Sequence, residues 1–190
     1  MGRRALKPFR HTEVPTPFGN LAILWRQDSG SPKVHWIVLP GEGGPAGSAL
    51  QTVLADAIPE SCSTIAELGK RIQHCLEGEA VEFDLDILAL DTCSRFQQMV
   101  LLADHGIPRG WVSTYGRVAQ SLGSPAGGRA VGSALSRNPF PILIPCHRVV
   151  RASLELGGFG GGLPMKRVLL ELEGLKFSES GRVLTDRIYY

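Results

Sequence analysis

Pro141-Ile142-Leu143-Ile144-Pro145-Cys146-His147-Arg148-Val149-Val150 is the stretch on which the reading of the chain turns. An apolar run ends in a proline, then comes a cysteine with a histidine beside it, then a second apolar pair. Pro145 locks its own φ and restricts Ile144, so the backbone presents Cys146 in one geometry rather than many. A thiol so held sits at the mouth of a core. On this stretch alone a small buried hydrophobe is slightly the better reading, because that is the usual fate of a free cysteine.

Outward from it, the preceding residues read as paired helices. Ser113 or Thr114 can cap a helix over 115–122, Gly123-Ser124-Pro125 is a tight turn, and a second helix runs from about 126 to 137. Helix, short glycine-containing turn, helix is the helix-turn-helix pattern, which also occurs in units that only pack. In the second helix Gly128, Gly132 and Ser136 recur every four residues as an almost bare stripe, with Val131 and Leu135 as the neighbouring core ridge. Glycine costs up to about 1 kcal/mol per helical position relative to alanine, so the stripe needs a reason. Close helix packing is one. Approach to nucleic acid is another: a helix is about 10–12 Å across and the minor groove about 6 Å wide.

Further upstream, Ser94 caps a predicted helix over 95–104 with Phe96, Val100 and Ala103 inward, and Trp111-Val112-Ser113 is extended. The first half reads as a small α/β unit. Residues 21–25 and 34–39 form a hairpin, 49–58 and 64–76 are helices, and 83–87 alternates like a half-buried strand. Ile65, Leu68, Ile72 and Leu76 share a face. Residues 1–12 read as a loose arm and 40–47 as a Gly/Pro loop. Downstream, Lys166 to Glu173 reads as an amphipathic helix, and 177–190 as a tail.

With 190 residues, 43% hydrophobic and 20% charged, the chain has the composition of a soluble globular protein. Residues 1–90 hold 8 Lys/Arg against 11 Asp/Glu, a net of −3; residues 91–190 hold 12 against 7, a net of +5. An arginine-rich second half suits phosphate contacts, and solvated surface is the plainer account. Cys62, Cys75, Cys93 and Cys146 show no CxxC spacing and no zinc pattern. No apolar run reaches about 18 residues and Met1-Gly2-Arg3-Arg4 lacks a following apolar region, so neither a membrane span nor a signal peptide is expected. A working thiol suits a reducing interior, so the expected location is cytoplasmic, or nuclear in a eukaryote.

Residues 138–149, Asn-Pro-Phe-Pro-Ile-Leu-Ile-Pro-Cys-His-Arg-Val, resemble the active-site signature of the O6-alkylguanine-DNA alkyltransferases. These repair proteins move an alkyl group from guanine onto their own cysteine. The resemblance extends through Tyr115, Arg129, the Gly160-Gly161-Gly162 run and Glu173, and covers roughly the second half of the chain. It implies single-turnover repair of O6-alkylguanine in duplex DNA, with Cys146 as acceptor and no cofactor or metal. It implies a water between Cys146 and His147, Glu173 orienting His147, Asn138 bracing the turn, and Tyr115 donating a proton to the leaving base. It implies that the second helix enters the minor groove with Gly128, Gly132 and Ser136 toward DNA. Arg129 then fills the gap left by an extruded nucleotide, which costs a few kcal/mol to flip. Pro141, Leu156, Phe159 and Gly160 are the implied pocket wall. The family often has Tyr then Ser where Phe159 and Gly160 stand, which leaves the range of accepted alkyl groups open. Some members carry zinc in the N-terminal half; this sequence supplies no clear ligand set.

The expected architecture is an α/β N-terminal domain, 1–90, followed by a mainly α-helical C-terminal domain with a helix-turn-helix, 91–176, and the tail. A monomer is expected, with double-stranded DNA as partner. A non-catalytic damage-recognition protein is opposed by the presence of Cys146. A helix-turn-helix regulator needs base-reading side chains where the stripe is bare. A thiol hydrolase leaves the paired helices and Arg129 unexplained.

Overall fold

The computed structural model describes residues 8–28, 30–41 and 47–190. Strands β1 (Arg10–Val14), β2 (Leu21–Asp28) and β3 (Ser31–Val38) form an antiparallel ladder. Helix α1 (Gly47–Ala55) leads to β4 (Ile58–Pro59), which joins β1 in parallel, so the sheet order is β3-β2-β1-β4. Leu21 to Trp25 are each at most 8% exposed. A run that is apolar at every position fits a strand covered on both faces. Helix α2 (Ser63–Leu76) buries Ile65, Leu68, Ile72 and Leu76 as their spacing predicts. Its Gly69 lets the helix sit close to the sheet: a Cβ there would stand 3.1 Å from Val14 Cγ2.

Two readings of the first half change. The predicted arm contains β1, because Arg10 to Val14 pair along β2 and Arg10 is held by Glu60 at 2.8 Å. Pairing holds a strand whose own residues show little apolar alternation. Residues 1–7 of that arm, and most of the predicted 40–47 loop, lie outside the described residues. The predicted strand at 83–87 is instead a 3-10 turn over Leu85–Ile87. The Asp84 carboxylate accepts from Asp86 N at 2.8 Å, and that local bond competes with a strand ladder.

The second half contains helices α3 (Arg95–His105), α4 (Tyr115–Ser121), α5 (Gly128–Ser136) and α6 (Gly162–Leu172). Ser94 Oγ accepts from Gln97 N, and Thr114 Oγ1 accepts from Arg117 N, each at 3.3 Å, so two predicted caps are present. In α3 the buried face is Val100, Leu101 and Asp104; Phe96 is 41% exposed, so the inward stripe is rotated from the predicted one. Strand β5 (Ser113–Thr114) pairs in parallel with β6 (Val149–Val150). That short ladder ties the entry to α4 to the exit from the Cys146 turn.

Residues 177–190, read as a tail, carry structure. Strands β7 (Lys176–Phe177) and β8 (Val183–Leu184) form a hairpin. Tyr189 N donates to Val112 O at 2.8 Å, and Tyr190 Oη donates to Ala103 O at 2.8 Å. One apolar cluster runs from Val14 and Ile23 through Leu76 to Val131, Phe140, Ile144 and Leu169, so the core is continuous across residue 90. Each such side chain, fully buried, contributes about 1.5–3 kcal/mol before entropy is counted. A second cluster gathers Val112, Val150, Leu170, Leu175 and Val183. Among the described residues no helix is long and apolar enough to cross a membrane.

Candidate active site

The turn that carries Cys146 is tied at several points. Asn138, 5% exposed, accepts from Phe140 N at 2.9 Å and donates to Ile144 O at 3.1 Å, bracing both ends. Ile144 N donates to Phe140 O at 2.8 Å. Between them Ile142 adopts φ 75°, a left-handed conformation that costs a β-branched residue about 1–3 kcal/mol. Burial of Ile142, Leu143 and Ile144 offsets that strain. After Pro145 the backbone turns through a 3-10 segment, Cys146–Arg148, and Cys146 lines the adjoining cavity.

His147 is 3% exposed and its Nε2 stands 2.9 Å from Glu173 Oε1. A carboxylate partner there puts the proton on Nε2 and leaves the Nδ1 lone pair free. Nδ1 is buried without a hydrogen-bond partner among the described residues. Arg148 forks onto the same carboxylate, Nε to Oε2 at 3.0 Å and Nη2 to Oε1 at 2.8 Å. Gly110 N adds a bond to Glu173 Oε2 at 3.2 Å. Burial works to raise the Glu173 carboxyl, but the His147 and Arg148 bonds and charges hold it at about 2. Burial also keeps His147 below the usual imidazole range, against the pull of Glu173. Burial, with Asp104 adding to it, pushes the Cys146 thiol up to about 12. The resting site is therefore a neutral thiol near a neutral imidazole backed by a fixed carboxylate.

Cys146 opens into a cavity of about 330 Å³ that it shares with Tyr115, Asn138, Pro141, Phe159 and Gly160. Gly132 and Ser136 of α5 also line it, whereas Gly128 and Arg129 do not. The opposite wall comes from the first half of the chain, residues 36–39 and Leu50, which sequence reasoning treated as packing only. Ile37 N donates to Pro139 O at 2.8 Å and seats that wall against the turn. Leu156 does not line the cavity. It packs with the Val112 and Leu170 cluster instead. His147 and Glu173 face a second cavity of about 700 Å³ behind the turn.

Tyr115 is half-buried, and burial, then the nearby Cys146, raises its phenol. Gly157 makes room for it: a Cβ there would stand 2.2 Å from Tyr115 Oη. The stripe on α5 has no such internal cause. A Cβ on Gly128 would rest 3.5 Å from Gly116 N, and one on Gly132 3.7 Å from Tyr115 Cδ1, both ordinary contacts. Neither glycine has positive φ. Arg129 is exposed and makes no hydrogen bond or ion pair among the described residues.

Sequence reasoning missed three charged residues at the site. Arg148 was read only as part of the motif. Lys166 is fully buried, donates to Val149 O at 2.7 Å, and burial lowers it to about 8. Its position among Met165, Leu169 and Leu170 on the inward face of α6 was the available signal. Asp104 is fully buried in α3. Among the described residues no group of three or more His, Cys, Asp or Glu could hold a metal ion.

Residues 95–175 match the family described as 6-O-methylguanine DNA methyltransferase, DNA binding domain. The chain is 46% identical over 112 residues to the methylated-DNA–protein-cysteine methyltransferase of Methanothermobacter thermautotrophicus, spanning 58% of this chain and 62% of that protein. It is 45% identical over 117 residues to the protein of that name from Mycobacterium leprae, 61% of this chain and 68% of that one. The crystal structure of the Mycobacterium tuberculosis O6-methylguanine methyltransferase superposes with a TM-score of 0.69 at 31% identity, covering 87% of this chain and 92% of that chain. A structure described as M. tuberculosis OGT in complex with DNA gives 0.68 at 32% identity, over 86% and 92%.

Proposed function

The chain belongs to the 6-O-methylguanine DNA methyltransferase family, and from that premise we propose that it repairs duplex DNA by moving an alkyl group from O6-alkylguanine to Cys146. The observation that carries this is the placement of the sulfur at the cavity, with Tyr115 beside it and the His147–Glu173–Arg148 cluster behind.

Attack needs the thiolate. The free Nδ1 of His147 is the acceptor for the thiol proton, through one water. Glu173 stabilises the imidazolium that forms, and Arg148 keeps Glu173 ionised while it does so. The sulfur lone pair forms the S–C bond, the C–O6 bond breaks, and its electron pair passes to the purine. Tyr115 supplies the proton the leaving base takes at N3. A thioether has no acyl carbon for water to attack, so the protein acts once.

Helices α4 and α5 serve as a helix-turn-helix, with the bare stripe and Arg129 toward the minor groove. Internal packing does not require glycine at 128 or 132, and that supports an external reason for them. Arg129, unpaired on the surface, fills the stack beside the flipped base. Residues 1–90 form the wall-bearing domain and 91–176 the transfer domain. The protein works as a monomer inside the cell.

Limiting protein mixed with excess duplex carrying O6-methylguanine tests the assignment. Guanine formed should plateau at one equivalent, and one methyl group should map to the peptide holding Pro145-Cys146-His147. Turnover past one equivalent without a gain in mass rules out the transfer reading.

A further inference from the structure

Asp104 is 0% exposed, and neither carboxylate oxygen has a hydrogen-bond partner among the described residues. It lies on the inward face of α3, the helix packed against the Cys146–Arg148 turn. An unpaired buried carboxylate is costly, so such a group usually neutralises or finds a nearby cation. The charged and titratable groups whose charges act on or with it come from several elements. Cys146 and Arg148 lie on the turn, Lys166 on α6, Tyr115 at the start of α4, and Tyr190 on the docked C-terminal segment. Lys166 is as buried as Asp104.

We propose that Asp104 is a positioning residue for the transfer reaction, a buried carboxylate that shares one negative charge with the Cys146 sulfur in the field of Lys166. The proposal rests on Cys146 as the alkyl acceptor and deepens that reading. Above neutral pH the resting site holds Asp104 as the anion and Cys146 as the thiol. In the reactive state the sulfur is the anion, its proton having passed through water to His147, and Asp104 is neutral with a proton taken from solvent. With the thiol proton on His147 and one solvent proton taken up by Asp104, a single anion lies in the field of Lys166 in both states. Two anions together in a low-dielectric interior repel strongly. Attack is therefore coupled to protonation of Asp104, which burial places at about 7, against the opposing pull of Arg148 and Lys166. As pH rises through neutrality, Asp104 ionises and raises the thiol, so thiolate grows more slowly than a lone cysteine would allow.

The test is the rate of Cys146 alkylation by iodoacetamide from pH 6 to 9, followed by peptide mapping, in wild type and in Asp104→Asn. The neutral reagent reads the sulfur without DNA. In wild type the rate should rise by clearly less than tenfold per pH unit near neutrality. In Asp104→Asn it should approach tenfold per unit up to about pH 7.5, below the titration of Lys166 at about 8, and be several-fold to about tenfold higher at that pH. A thiolate of lower pKa is intrinsically less nucleophilic, so only part of the shift reaches the rate. Asp104→Leu should act in the same direction and covers a failure of the amide to fold. A wild-type slope and rate in the folded variants, or slower alkylation, overturns the proposal. A wild type that fails to repair O6-methylguanine duplex but shows the expected slopes overturns the proposed function and leaves the Asp104–Cys146 coupling standing.

Discussion

Residues 138–150 are nearly all buried, and apart from His147 Nδ1 their side-chain nitrogens are tied into the fold: Asn138 braces the turn, His147 and Arg148 hold Glu173, and Ile142 is strained in place. The outward positions of 115–137 are the reverse. Gly116, Arg117, Arg129, Ala130 and Ser136 are exposed, and Arg129 makes no bond among the described residues. The two stretches are neighbours joined by the β5–β6 ladder. The difference teaches where each can be changed. In the turn, chemistry and folding share the same side chains, so substitutions act on both. On the helical face Arg129 is free of bonds to the fold among the described residues, so its substitution acts on contact alone, whereas Arg117 is tied to Tyr190 O.

The sharpest test of that contrast is Cys146→Ser. Serine keeps the shape of cysteine with a smaller, far less nucleophilic atom, so transfer should fall to background while duplex affinity stays within about twofold. Gel shift and product assay, run separately, check it. Affinity lost along with transfer would merge the two regions.

Glu173→Gln should act on both fold and chemistry. It leaves the partly buried Arg148 without its carboxylate, and breaking a fully buried pair typically costs about 3–5 kcal/mol, an upper bound here. Urea melts at pH 7 read that loss. The pH dependence has a definite sign. The Glu173 pKa is held at about 2, below its reference value of 4.5, so its stabilisation is present above about pH 4.5 and disappears as pH falls through 2. The gap between wild type and variant should therefore close on acidification. The alkaline limb of the alkylation profile should also move to higher pH, because His147 loses support for its charge.

Gly157→Ala probes the seam between the two regions. The added methyl overlaps Tyr115 Oη, so the ring must leave its place against Gly132. Transfer should slow by up to about 100-fold, the scale of a 1 Å misplacement. Stability should fall by about 1–3 kcal/mol, the usual range for overpacking. An unchanged transfer rate would remove Tyr115 from the mechanism.

Arg129→Ala carries the smallest effect on the fold. Its melting curve should match wild type within about 0.5 kcal/mol. Repair of a duplex lesion should slow far more than reaction with free O6-benzylguanine, which needs no stack to be filled. Equal losses on both substrates would place Arg129 in chemistry or folding.

Much of this was legible before the structure. The face of α2, the caps at Ser94 and Thr114 and the paired helices followed from spacing and local hydrogen bonding. The motif around Cys146, with Glu173 as partner, followed from resemblance. The losses have physical causes. Residues 83–87 alternate as a strand would, yet Asp84 caps its own backbone into a turn. Leu156 and the glycines after it read as one wall, but only a packed partner shows on which side a leucine lies. Arg10 to Val14 are held by a ladder partner, which no window on the chain contains.

The sequence by itself determined the local terms: which segments coil, where they are capped, which cysteine stands behind a proline, and that a bare stripe runs along α5. These depend on neighbours within a few residues. Tertiary structure alone decided that Arg148 forks onto a glutamate 25 residues away, and that residues 36–39 wall the Cys146 cavity. It alone decided that the last two tyrosines dock on α3 and β5, and that two buried charges, Asp104 and Lys166, act on one sulfur. Burial and the field at a charge are sums over groups far apart in the chain, and they exist only once the chain has folded.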